Sequence, residues 1–93
     1  MHDKIMNVIW DERKAYANSK KHRVSFEEAT SSLLDPMGLV SEDPDAEGEY
    51  RFIVVGMSCN LRLLTVCYAV PDEETIRIIS ARKSTRREEA TYA

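Results

Sequence analysis

From Tyr50 to Arg82 apolar and polar residues alternate with the period of a β-strand, interrupted by two short polar links. "YRFIVVGM" (50–57) sets Tyr50, Phe52 and Val54 against Arg51, Ile53 and Val55. "RLLTVCYAV" (62–70) places Leu64, Val66, Tyr68 and Val70 on one side. "TIRIISAR" (75–82) opposes Ile76, Ile78, Ser80 and Arg82 to Thr75, Arg77, Ile79 and Ala81. "SCNL" and "PDEE" are short enough to predict an antiparallel meander.

The first half has other periods. In "KIMNVIW" (4–10) the β-branched Ile5, Val8 and Ile9 predict a first strand. Asp11 then stands as a helix N-cap with Glu12 in the first turn, and the helix runs to about His22. Apart from Ala15, Tyr16 and Ala17 this helix has no apolar stripe. Spacing by four puts Lys14, Asn18 and His22 on one face, with Lys21 three residues after Asn18. Such a pattern suits a solvated surface helix. "SFEEATSSLL" opens with Ser25 and Glu28 in the S-x-x-E spacing of a capping box. Phe26, Ala29 and Leu33 form its buried stripe, and Asp35–Pro36 ends it. "MGLV" (37–40) predicts a short strand, and "SEDPDAEGE" an exposed loop. After the last strand, Thr85 and Glu88 repeat the capping-box spacing, so a short helix begins near Arg86. The order is β, α, α, four strands, α. It predicts an α+β fold with helices on one face of a mostly antiparallel sheet.

Length allows one small domain over residues 1–93, with a modest core. The apolar share of 43% fits a folded globular chain. No apolar run approaches the roughly 20 residues of a membrane span. The start lacks the apolar region of a signal peptide. The expected location is therefore cytoplasmic, with no membrane contact. Cys59 and Cys67 match no zinc spacing, and a disulfide is not expected in that compartment. Cys67, in an apolar strand, is expected to be a small core residue, and Cys59 an exposed thiol in a turn.

Charge changes the picture locally. The net charge is −3, but residues 35–50 hold six acids and no base, which leaves +3 for the rest. That balance argues against non-specific coating of DNA and leaves room for a small phosphate site. There is no G-x-S-x-G, P-loop, G-x-G-x-x-G or H-E-x-x-H. What remains is one internal histidine, His22, with Arg51, Arg62 and Arg77 on or beside strands and Arg82 and Lys83 at the last strand's end. Such arginines seldom enter a small core. They either face the open sheet or pair with Glu49 and the acidic loop. A guanidinium fork holds phosphate, and an imidazole moves a proton near neutral pH. Together they are the parts for RNA cleavage by attack of a 2′-hydroxyl on the adjacent phosphorus, a scheme that requires no metal and no cofactor. Arg77 and Arg82, five apart, fall on opposite faces of a regular strand, and only a bulge or the strand's end brings them to one site.

"WDERKAYANSKKHRVSFEEA" (10–29) resembles the signature W-D-x-x-K-x-x-x-N-x-x-K-H-G-V-x-F-x-E-A. "DP", "GEYRFIVVGMS", "RLLTVCYAV" and "IRIISARKSTRREE" follow in the same order. Over nearly its whole length the chain resembles the BrnT-type toxins of bacterial type II toxin–antitoxin systems. The resemblance implies a compact RelE-like fold and a ribonuclease activity that arrests translation. It implies a BrnA-type antitoxin with a ribbon-helix-helix part as partner, so that DNA is reached only through the antitoxin. Matching positions are Trp10, Asp11, Lys14, Asn18, Lys21, His22, Arg51, Arg62, Arg77, Ser80, Arg82 and Glu88. Of these, His22 is expected to transfer protons. Arg51, Arg62, Arg77 and Arg82 are expected to contact phosphate and the transition state, and Lys14, Lys21 and Lys83 to bind substrate. Trp10 and Asp11 fit a staple and a cap. Arg23 departs from the pattern, because glycine is usual there and would suit a left-handed helix end. The alternative is a non-catalytic binding module or co-repressor that keeps the fold.

Overall fold

A computed structural model describes residues 6–92. Its elements are β1 (Asn7–Ile9), α1 (Glu12–His22), α2 (Phe26–Leu33), β2 (Leu39–Glu42), β3 (Arg51–Met57), β4 (Leu63–Asp72), β5 (Thr75–Lys83) and α3 (Arg86–Tyr92). The element order is the predicted one. The first two residues of the expected first strand lie outside the described residues. One five-stranded sheet has the order β1-β5-β4-β3-β2. β1 runs parallel to β5, and the other neighbours are antiparallel.

α1 and α2 cover one face of the sheet. Val54, Leu64, Val66, Tyr68, Ile78 and Ala81 meet Val24, Phe26 and Ala29 there. Trp10 stands edge-on to Phe26, with ring centroids 5.9 Å apart. Burying a side chain such as Phe26, which is fully enclosed, stabilises the fold by about 2–3 kcal/mol. Gly56 lets β3 approach α2 closely, because a Cβ there would collide with the Ser32 carbonyl oxygen.

α1 is not simply a solvated helix. Asn18 is buried, and its amide donates to the carbonyls of Val24 (3.0 Å) and Ala81 (2.8 Å). Its oxygen accepts from the Ala81 N–H at 3.1 Å. A single polar side chain thus replaces the missing apolar stripe and ties α1 to β5.

β5 carries a bulge. Cys67 pairs with Ser80 but Tyr68 pairs with Ile78, which leaves Ile79 as the extra residue. The expected alternation along β5 therefore fails at its midpoint. Ile78 and Ala81 both enter the core, and Ser80 turns outward. Arg77, Ser80 and Arg82 share the opposite, open face with Ala69, Cys67 and Thr65. Cys67 is consequently half-buried on the open face rather than a core residue, and its thiol lies 3.6 Å from an Asp43 carboxylate oxygen. Burial, reinforced by Asp43, pushes the Cys67 thiol up.

Two other expectations change. β2 starts at Leu39, because the Asp35 carboxylate accepts from Met37 N–H and its carbonyl from Gly38 N–H, folding residues 35–38 into a turn. α3 lies on the open face, not with α1 and α2: its Glu88 reaches Thr65 and Arg82, both on that face.

Candidate functional site

The C-terminal end of β5 gathers three segments. α1 arrives through Asn18 on Ala81. One turn later His22 ends the helix, and Arg23 caps it in the left-handed conformation (φ 58, ψ 36). The β3–β4 hairpin arrives through Arg62, whose Nη2 donates to the Arg23 carbonyl at 2.9 Å. β5 ends beside that hairpin, with Ser84 N–H on the Leu63 carbonyl and Lys83 opposite Leu64.

Cations dominate this rim for a local reason. Lys20, Lys21 and His22 occupy the last turn of α1, where the exposed carbonyls carry the negative end of the helix dipole. Among the described residues no acid pairs with Lys21, His22 or Lys83. Beside Arg62 and Lys83 lies a cleft of about 430 Å³, also lined by Met57, Leu61, Leu63, Ser84 and Glu89.

Arg62 is held from below by Glu28. Its Nε donates to one Glu28 oxygen at 2.7 Å and its Nη2 to the other at 2.6 Å. Ser58 donates to the same carboxylate at 2.7 Å. Glu28 is 7% exposed. The Arg62 guanidinium, helped by Ser58 and opposed by burial, holds its pKa down at about 2. Arg62 is raised in turn. The fork keeps only its Nη1 donors for any outside group. Ser25 caps α2 as expected, accepting from Glu28 N–H, but the Glu28 side chain does not complete a capping box. Its role was missed in the sequence, where the only signal was its place in the F-x-E-A block.

The remaining candidates lie elsewhere. Arg82, on the open face, donates through both Nη atoms to Glu88 at 2.8 and 2.9 Å. Glu88 also closes the predicted capping box with Thr85 and accepts from Thr65, and its pKa is lowered to about 2, Arg82 being the main cause. The bulge does put Arg77 on the face of Arg82, but at the far end of β5, about 15 Å away by strand rise. There Arg77 and Arg51 share Glu49, at 2.9 and 3.4 Å, and Arg77 is the main cause that lowers the Glu49 carboxyl. Lys14 lies two turns before His22 on α1, exposed. The structure thus places Arg62 on the backbone carbonyl of Arg23, the residue after His22, and sets Arg62 and Lys83 on one cleft. It sets Arg82 on the adjoining face and keeps Arg51 and Arg77 apart from them. Among the described residues no three His, Cys, Asp or Glu side chains gather as a metal site would need. No described helix is long and apolar enough to cross a membrane.

Comparison with known proteins agrees with this architecture. The chain resembles the crystal structure of the Brucella abortus ribonuclease toxin BrnT with a TM-score of 0.64 and 24% identity, over 87% of this chain and 99% of that one. Among curated proteins none matches. The family model described as "Ribonuclease toxin, BrnT, of type II toxin-antitoxin system" matches residues 10–88. That span holds both anchors of the rim, Asn18 and Arg62, and the chain belongs to the BrnT family of ribonuclease toxins.

Proposed function

We propose that this chain is a cytoplasmic endoribonuclease that cleaves RNA without a metal, arrests translation, and is neutralised by a BrnA-type antitoxin carrying a ribbon-helix-helix DNA-binding part. Family membership supports the reaction class. One observation supports the site: the Glu28-held Arg62 donates to the carbonyl of Arg23, next to His22, and lines one cleft with Lys83.

In this scheme an RNA phosphate sits at the rim, its charge met by Lys83, Lys21 and the Nη1 side of Arg62. The 2′-hydroxyl attacks the neighbouring phosphorus and loses its proton to a base. The bond from phosphorus to the 5′ oxygen breaks, and that oxygen takes a proton. The products are a 2′,3′-cyclic phosphate and a 5′-hydroxyl end. His22 serves one of the two proton transfers. Arg82, steadied by Glu88, lies on the adjoining face, where the RNA backbone passes. Arg51, Arg77 and Lys14 meet more distant phosphates.

The pairing of Arg51, Arg77 and Arg82 with carboxylates favours the second reading, a binding module without chemistry. Cleavage of defined RNA in EDTA separates the two. Wild-type chain is expected to cut. His22→Ala is expected to lower the rate at least 100-fold, and Lys83→Ala to raise KM more than it lowers kcat. Intact RNA after incubation with folded wild-type chain leaves only the binding module.

A further inference from the structure

β2 forms one free edge of the sheet. It pairs only with β3, and all four of its residues are exposed. Asp43 N–H donates to the Arg51 carbonyl at 3.0 Å, so the bonded pairs of this ladder continue at Ser41–Ile53 and Leu39–Val55. The N–H and C=O groups of Val40 and Glu42 therefore point away from the sheet, as acceptors and donors for another strand. Edge strands are normally protected by lysine, an inward charge or a bulge. β2 has no lysine and no bulge, and its guards are its shortness and Glu42 at its end. Its Val40 is 59% exposed, and Met37 and Leu34, just before it in the chain, are 65% and 75% exposed.

The flank of this edge is acidic. Of the six acids between residues 35 and 50, Asp35, Asp43 and Glu49 are engaged inside the fold. Glu42, Asp45 and Glu47 have no side-chain partner among the described residues and are exposed. They stand at the end of β2 and in the loop that continues it.

We infer that the β2 edge is the docking strand for an extended segment of the antitoxin that is apolar where it passes Val40 and basic where it passes Glu42 and the loop beyond, two positions that share one face of the strand. The apolar positions would lie over Val40 and Met37, and the basic ones against Glu42, Asp45 and Glu47. The added strand takes its hydrogen bonds from Val40 and Glu42. A second copy of this chain is disfavoured, because its own β2 (Leu39–Glu42) offers no basic side chain to meet Glu42, Asp45 and Glu47. RNA is disfavoured by the same charge. The inference rests on the proposed antitoxin reading.

Val40→Pro tests it. Proline removes the outward N–H of residue 40 and leaves the β2–β3 bonds, which use residues 39, 41 and 43. Binding of the antitoxin encoded beside this chain is measured by calorimetry, for wild type, Val40→Pro and the double variant Asp45→Asn/Glu47→Gln. Unchanged amide protection at Ile53 and Val55 certifies the fold of the proline variant. The expected result is at least a tenfold loss of affinity for Val40→Pro. Association of the double variant is expected to be several-fold slower, with a flatter salt dependence. Equal affinity of Val40→Pro and wild type overturns the edge while the antitoxin reading stands. An antitoxin that fails to bind wild type overturns both.

Discussion

Arg23 is the residue where this chain departs most plainly from the pattern it resembles. It adopts the left-handed conformation that glycine takes without cost, which for a side chain costs about 1–2 kcal/mol. The conformation persists because both of its backbone groups are held. Its N–H donates to Ser19, and its carbonyl accepts from Arg62. Arg23→Gly is therefore expected to raise the urea midpoint, by about 1 kcal/mol in stability. A fall in the midpoint would show that the Arg23 side chain contributes more than its backbone costs. The sequence alone identified this strain, because K-H-R stands where K-H-G is usual. It gave no hint that Arg62 was the clamp, since 39 residues separate the two.

Among elements, α3 is the weakest. It has seven residues, none of them buried, and a helix that short does not persist alone. Four contacts hold it: the Thr85–Glu88 capping box, the Arg82–Glu88 pair, the Thr65 hydroxyl on Glu88, and a 2.5 Å hydrogen bond from the Tyr92 hydroxyl to Asp35. Asp35 is kept low first by Tyr92 and then by the Met57 and Met37 N–H groups. Tyr92→Phe is expected to leave the global unfolding midpoint nearly unchanged and to speed amide exchange in α3 about tenfold. Unchanged exchange there would mean that the capping end alone holds the helix. The box was legible in the sequence as T-x-x-E. The Tyr92 latch was not, because it joins positions 57 residues apart. The face that α3 covers depends on the same long-range geometry. The β5 bulge was legible only as a condition: the run "TIRIISAR" reads as a regular strand, and the packing of Ile78 and Ala81 selects the extra residue.

Across the whole molecule, four hydrogen-bonded carboxyls share one bias. Glu28 and Glu88 are held at about 2 against an ordinary 4.5, and Asp35 and Glu49 are lowered as well. A carboxyl whose folded pKa is depressed adds stability above its unfolded pKa, and that stability is lost as pH falls toward the folded value. Stability is therefore expected to drop between about pH 5 and pH 2. Glu28, nearly fully buried, accounts for the largest share, on the order of 3 kcal/mol. Urea midpoints from pH 7 to pH 3 measure this. Glu28→Gln is expected to be less stable at pH 7, because Arg62 loses its partner, and to show a flatter decline toward acid. A wild-type curve with no decline below pH 5 would rule out the Glu28–Arg62 pair as a source of stability.

By itself the sequence determined the elements, the α+β class and the family, because these depend on local periodicity, capping spacings and blocks of residues read in order. It also supplied the right kinds of side chain for phosphate chemistry. Only the tertiary structure decided which of them meet. It separated Arg51 and Arg77 from His22 and Lys83, engaged Arg62 with Glu28, and turned Arg82 toward Glu88. The physical reason is that a charged side chain is committed by its nearest opposite charge and by the facing of its strand. Both are set by contacts tens of residues apart, and one bulge residue in β5 is enough to reverse a face.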